Sequence, residues 1–239
     1  MNAPEKLKQY DRDAQVVGNI VHLEHFNVVI DDQRLATLFY VVGLGGTRDP
    51  YIFPGLENMW VNFGRTQVHL PSRGSKPEVV RGTVGFVVPS LDDLVKRLEH
   101  AGKEMKRVAP DLPNKFSFNR QKDTVEATCP WGNRVRCHAP APEFGRTELG
   151  LVYVDFDVPV GTAEGIARYY NEVMRAPAHL EGKTRAIIGC PAISAYRYAS
   201  LPNSSITCTV ALTWAACSTL GRVSVRASGR RPTMISRSR

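Results

Sequence analysis

The chain has 239 residues, of which 43% are hydrophobic, and a net charge of +8. That length holds one large domain or two ordinary ones, and the apolar content excludes general disorder. No charge-free apolar run is long enough to span a bilayer, and residues 1–15 are polar without the apolar core of a secretory signal, so the expectation is a cytoplasmic protein with no membrane partner.

Residues 1–19 read as a polar leader. The first strand is predicted over residues 20–30. Asp31 or Asp32 caps the helix that follows, on which Leu35, Leu38, Phe39 and Val42 fall at i, i+3, i+4, i+7, one buried face. Gly43, Gly45 and Gly46 then stop it. They form no phosphate loop, because they follow a helix and lack the Gly-Lys-Ser/Thr ending. Two extended runs, 59–63 and 66–70, flank a hairpin turn at Gly64-Arg65. Trp60 on the first run suits either the core or a ligand pocket.

A second unit repeats the pattern. A strand over 83–88 leads to Ser90 and Asp93, a capping-box-like pair. Leu91, Leu94, Val95 and Leu98 give the apolar stripe, and Gly102 marks the expected stop. Extended runs follow at 116–118 and 124–128. Pro130-Trp131-Gly132-Asn133 supplies turn chemistry before a last strand over 134–138. Residues 141–149, with Pro142 and Gly145, are a linker. A third unit begins with a strand over 150–158 and a helix capped by Thr162, with Ile166, Tyr169, Tyr170 and Val173 as its stripe. Only 186–188 then reads as one more short strand.

Beyond residue 190 the patterning fails. Residues 184–239 hold eight Arg and no Lys, Asp or Glu, which leaves residues 1–183 with equal numbers of basic and acidic side chains. The basicity belongs to this tail, so no nucleic-acid partner is expected. Residues 191–239 read as an atypical basic tail, either a disordered extension or the product of an altered reading frame that replaced a fourth unit, although 206–220 is apolar enough to pack. Five cysteines, Cys129, Cys137, Cys190, Cys208 and Cys217, are odd in number and without C-x-x-C spacing. Reduced, unpaired thiols are expected.

Three local motifs carry a family resemblance. His25-Phe26-Asn27-Val28-Val29-Ile30-Asp31-Asp32 resembles an opening strand that often begins with a metal-binding His. Gln67-Val68-His69-Leu70 resembles the last strand of a first module. Pro130-Trp131-Gly132-Asn133-Arg134 resembles a D-P-x-G-N hairpin, with Cys129 where an acidic residue is usual. In this order and spacing they resemble the vicinal-oxygen-chelate superfamily of glyoxalases, bleomycin-resistance proteins and extradiol dioxygenases. The resemblance covers residues 20–140 and part of 150–190. It implies an α+β fold of tandem βαβββ modules, with the second module pair incomplete.

In that family, ligands to a divalent metal come from the first and last strands of two modules. By position these places are His25, the strand holding Gln67 and His69, a place near Val84, and the strand holding Arg136 and His138. Gln67 and His69 share a face and parity does not separate them. Aligning Val68-His69-Leu70-Pro71 with Cys137-His138-Ala139-Pro140 favours the histidines, so the implied metal set is His25, His69 and His138. Neutral imidazoles around an open coordination position suit Zn, Fe, Ni or Mn acting as a Lewis acid on an oxygen-rich or aromatic substrate. Val84 in place of a His, and Arg136 with no Glu on the last strand, depart from that pattern. His22 and Glu24 are expected on the opposite face from His25. His100 and His179 read as surface residues.

Three readings follow: a metal-dependent lyase, isomerase or dioxygenase; a metal-free small-molecule binder; and a truncated product without function. The partner expected is a small molecule, and the family resemblance adds a homodimer.

Overall fold

A computed structural model describes residues 23–52, 57–72, 74, 76–189 and 195–200 of the chain. The leader, His22, Cys190, Cys208, Cys217 and the rest of the tail lie outside the described residues. Three βαβββ modules follow one another. In the first, β1 (His25–Asn27) leads to α1 (Gln33–Ala36), which continues as a π-helical segment, Thr37–Gly43, and then to β2 (Thr47–Arg48), β3 (Asn58–Phe63) and β4 (Thr66–Pro71). The second holds β5 (Gly82–Val87), α2 (Leu91–Val108), β6 (Ser117–Arg120), β7 (Thr124–Thr128) and β8 (Arg134–His138). The third holds β9 (Gly150–Val158), α3 (Ala163–Glu172), β10 (Ala178–Glu181), β11 (Arg185–Gly189) and β12 (Ala195–Ser200).

Each module has the same strand order, with its first strand paired to its last. The first module is a four-stranded sheet, β1-β4-β3-β2. The other two merge into one eight-stranded sheet, β10-β11-β12-β9-β5-β8-β7-β6, because β5 and β9 pair antiparallel. The third module therefore carries all three of its later strands, where sequence patterning offers one. β10 is mostly exposed, so no apolar alternation marks it. β12 lies past residue 190, where the tail was expected to begin.

The caps form as expected for local reasons. The Asp32 carboxylate accepts from the Arg34 and Leu35 N–H groups, at 2.8 and 3.0 Å. Ser90 Oγ accepts from the Asp93 N–H, at 3.2 Å, while the Asp93 carboxylate pairs with Lys96. The Thr162 hydroxyl instead donates back to the Pro159 carbonyl, at 2.7 Å, and does not cap α3.

The buried stripes are partly rotated from their expected positions. In the first module Leu35, Ala36, Phe39, Tyr40 and Gly43 are buried, and Leu38 and Val42 lie half-buried beside them. The wider π winding turns Tyr40 and Gly43 inward. On α3 the buried residues are Ala163 and Ala167, with Ile166 and Tyr170 half-buried and Tyr169 and Val173 exposed. α2 buries Leu91, Leu94, Leu98, Ala101 and Met105, and it runs straight through Gly102. Gly102 is not a stop: a Cβ there would sit 2.7 Å from the Phe116 ring, so glycine permits close packing.

The Asn133 turn ties the modules together. The Asn133 side chain accepts from the Val80 N–H and donates to the Glu78 carbonyl, both at 2.8 Å. This fixes the segment that connects the first module to β5. Cys129 and Cys137 are buried, free thiols, and burial pushes the Cys137 thiol up to about 12. Alkylation needs an accessible thiolate. N-ethylmaleimide at about pH 8 is expected to leave Cys137 unmodified in the native protein and to label it in urea, read by peptide mass mapping; equal labelling in both would show that β8 opens.

Candidate functional site

Strand parity divides each sheet into an apolar face and a polar face. In the first module Phe26, Val28, Met59, Val61, Phe63, Val68 and Leu70 are buried on one side. The other side carries His25, Trp60, Asn62, Gln67 and His69, whose rows follow from the pairings His25–Gln67–Asn62 and Asn27–His69–Trp60.

Trp60 touches both histidines of this polar face. Its indole stacks on His69, with centroids 4.0 Å apart and planes 11° from parallel, and meets His25 edge-on at 4.9 Å. The His25 and His69 rings are 6.3 Å apart. His69 Nε2 contacts Asn58 Oδ1, and His25 Nδ1 contacts the Glu24 carboxylate. Glu24 was expected on the opposite face; its side chain folds back along β1 to reach the ring. A separate network links Gln67 Nε2 to Asn62 Oδ1 and Asp49 Oδ2, at 2.6 and 3.0 Å. The Ile52 and Tyr51 N–H groups donate to Asp49 and hold its carboxyl below the usual range.

His138 stands on the other sheet. One row across that sheet reads Glu126, Arg136, Gly85, Tyr153 on β7, β8, β5 and β9. The Tyr153 ring lies over Gly85, where an added Cβ would come within 2.3 Å of it. The Tyr153 hydroxyl and His138 Nε2 are 2.9 Å apart, and His138 also packs on Phe144, from the 3-10 turn Pro142–Phe144, at 4.9 Å. Arg136 donates twice to Glu126, at 2.8 and 3.0 Å. Burial alone would lower the Arg136 guanidinium, but the Tyr153 phenol and the Glu126 carboxylate hold it above its ordinary value. A further row holds Arg134, whose guanidinium reaches Asp157 at 3.1 Å.

The place expected near Val84 is Gly85. The register sets His25 beside Gln67 and Gly85 beside Arg136, and Gln67 and Arg136 are the equivalent residues of the two last strands. Val84 points to the apolar side and is 2% exposed.

The structure thus brings His25 and His69 onto one face and puts His138 on a different sheet. Among the described residues no three His, Cys, Asp or Glu side chains converge in a way that could hold a metal ion. Sequence reasoning passed over Gly85, Tyr153, Glu126, Asn58 and Asp49. A glycine inside a strand is a signal of close approach, and Gly85 carried it. Two open depressions, of about 530 Å³ beside Val42 and Arg97 and about 430 Å³ along α3, lie away from all three histidines.

No family model and no curated protein matches the sequence. Solved structures do. A dioxygenase candidate from Bacillus subtilis subsp. subtilis str. 168 is 14% identical with a TM-score of 0.50, over 88% of this chain and 66% of that one, so this chain spans about two thirds of its length. A glyoxalase/bleomycin resistance protein/dioxygenase superfamily member from Sphaerobacter thermophilus DSM 20745 is 20% identical with a TM-score of 0.35, over 51% of this chain and 98% of that one. The fosfomycin resistance protein FosX of Listeria monocytogenes is 14% identical with a TM-score of 0.38, over 51% of this chain and 93% of that one. At these identities the likeness speaks for the fold alone. Among the described residues no helix is long and apolar enough to cross a membrane.

Proposed function

We propose that this chain, whose fold is that of the vicinal-oxygen-chelate superfamily, binds a small oxygen-rich or aromatic molecule without a resident metal, on the polar face of β8, β5 and β9. The observation that carries the reading is that an aromatic ring occupies the space beside each histidine of the implied metal set. Trp60 packs against both His25 and His69, and Tyr153 covers Gly85 and meets His138. A metal at either place would have to displace a packed ring and compete with hydrogen bonds already made. The groups offered to a ligand are the half-buried Arg136 and His138, which Glu126 and the buried Tyr153 hydroxyl hold in place over the sheet. Such a pair suits a flat molecule with one or two oxygen acceptors, oriented by hydrogen bonds at one end.

Calorimetric titration with catechol, salicylate and phenylphosphonate as probes, with and without EDTA, tests this. At least one probe is expected to bind equally in both conditions. Arg136→Ala should weaken it about tenfold or more, the weight of a hydrogen bond to a charged or oxyanion group, and Tyr153→Phe should weaken it by releasing His138. Stoichiometric metal in the purified protein, lost together with probe binding in His25→Ala or His138→Ala, would sink the reading in favour of a metal-dependent enzyme.

A further inference from the structure

The depression of about 530 Å³ between the π-helical segment and α2 lies outside the binding face over Tyr153. Its size is that of a small-molecule site. Its walls are mainly apolar and include Val41, Val42 and the Gly45-Gly46 stretch. Arg97 reaches it from α2 and is held in place. The Arg97 Nε donates to the Val42 carbonyl at 3.1 Å. The guanidinium lies against Gly45, where φ is +86° and a Cβ would come 3.0 Å from Nη1 and 3.4 Å from Nη2. Glycine meets both demands. Among the described residues, Nη1 and Nη2 have no hydrogen-bond acceptor. A guanidinium fixed through Nε, with both Nη donors unused, is a fork for two oxygens.

The charges around this fork select its partner. Lys96 also lines the depression, but Asp93 pairs with it at 2.9 Å. Asp93 lies in the field of Arg97 as well, without a hydrogen bond to it. Glu104, near His100, is held by Arg107 at 2.7 Å. Glu99 is two residues from Arg97 along α2, so the two side chains do not face each other. The carbonyls at the end of the π-helical segment would repel an anion, but they are already used. Those of Phe39, Tyr40 and Val41 accept from the N–H groups of Leu44, Gly46 and Gly45, and that of Val42 accepts from Arg97. The Arg97 guanidinium is left unbalanced in apolar surroundings. A monoanion with a hydrocarbon body suits it better than a phosphate dianion, whose second charge would be buried unpaired. We propose that this depression binds a free amphipathic carboxylate, with its two oxygens on the Nη donors of Arg97 and its chain along Val41 and Val42. The site is independent of what binds over Tyr153.

Calorimetric titration of the full chain with octanoate tests the site. One octanoate per chain is expected to bind. Octanol keeps the chain without the charge and acetate keeps the charge without the chain, so each should bind about tenfold or more weaker. Arg97→Gln should weaken octanoate by about tenfold or more, with urea unfolding to show that the variant is folded. Tyr153→Phe should leave octanoate binding at its wild-type strength. Phenylglyoxal labelling of the wild type, read by peptide mass mapping, gives a second arm that needs no variant. Octanoate should slow modification of Arg97 about tenfold and leave that of Arg107, which Glu104 holds, unchanged. Absence of octanoate binding, equal binding of octanol, or modification of Arg97 at the same rate with and without octanoate overturns the proposal. So does octanoate binding that survives in a folded Arg97→Gln or is lost in Tyr153→Phe.

Discussion

Gly85→Ala is expected to expel the Tyr153 ring from the polar face, abolish probe binding there, and destabilise the protein by about 1–3 kcal/mol, the usual cost of overpacking. The added methyl would lie 2.3 Å from ring atoms of Tyr153, far inside contact distance, so the ring has to move away from its contacts with His138 and Arg136. Urea unfolding of a double-mutant cycle isolates the cause. In a Tyr153→Ala background the same Gly85→Ala change meets no ring and should cost little, giving a coupling of roughly 0.5–3 kcal/mol. Equal costs in both backgrounds would mean that Gly85 is required by the backbone of β5, and the account of the polar face would fall with it.

The contrast between Gly85 and Gly102 shows which features were legible in the sequence. Caps and apolar stripes depend on a few neighbouring residues. Asp32 and Ser90 therefore act where they were expected, and Gly64, at φ +60, makes the two-residue turn between β3 and β4. A glycine that serves a packing contact is marked only as a break in the local pattern, and the partner it packs against is not written beside it. Gly102 resembles a helix stop until Phe116 is placed against it, and Gly85 is a weak point in a strand until Tyr153 lies over it. The one-residue error at Val84 has the same origin. Parity within a strand was readable, but which parity faces the histidines depends on register with β8. Three histidines at the places the resemblance implies looked like one site, yet the modules join so that β5 continues into β9 and not into β1. The aromatic rings on both faces then follow from side chains more than 30 residues away in sequence from at least one of the residues they touch, contacts that no periodicity announces.

Leu98→Ala is expected to cost about 2–5 kcal/mol, the range for removing a fully buried leucine side chain. Leu98 is 0% exposed on α2 and sits where the first two modules meet. A Cβ built on Gly43, at the end of the π-helical segment, would lie 3.2 Å from Leu98 Cδ2 and 3.5 Å from the Ala101 methyl. Beside it Arg97 Nε donates to the Val42 carbonyl at 3.1 Å, so the two helical segments are pinned by a polar contact as well as packed. Shared burial of this kind makes the two modules one cooperative unit, and the whole denaturation curve should shift in a single transition. Gly43→Ala offers the complementary test. Alone it crowds Leu98; combined with Leu98→Ala its methyl enters the space that leucine vacated, and the double variant should recover part of the loss. Two resolved transitions, with only one of them moved by Leu98→Ala, would instead show that the first module folds apart from the second, and that the seam at Gly43 contributes little to either.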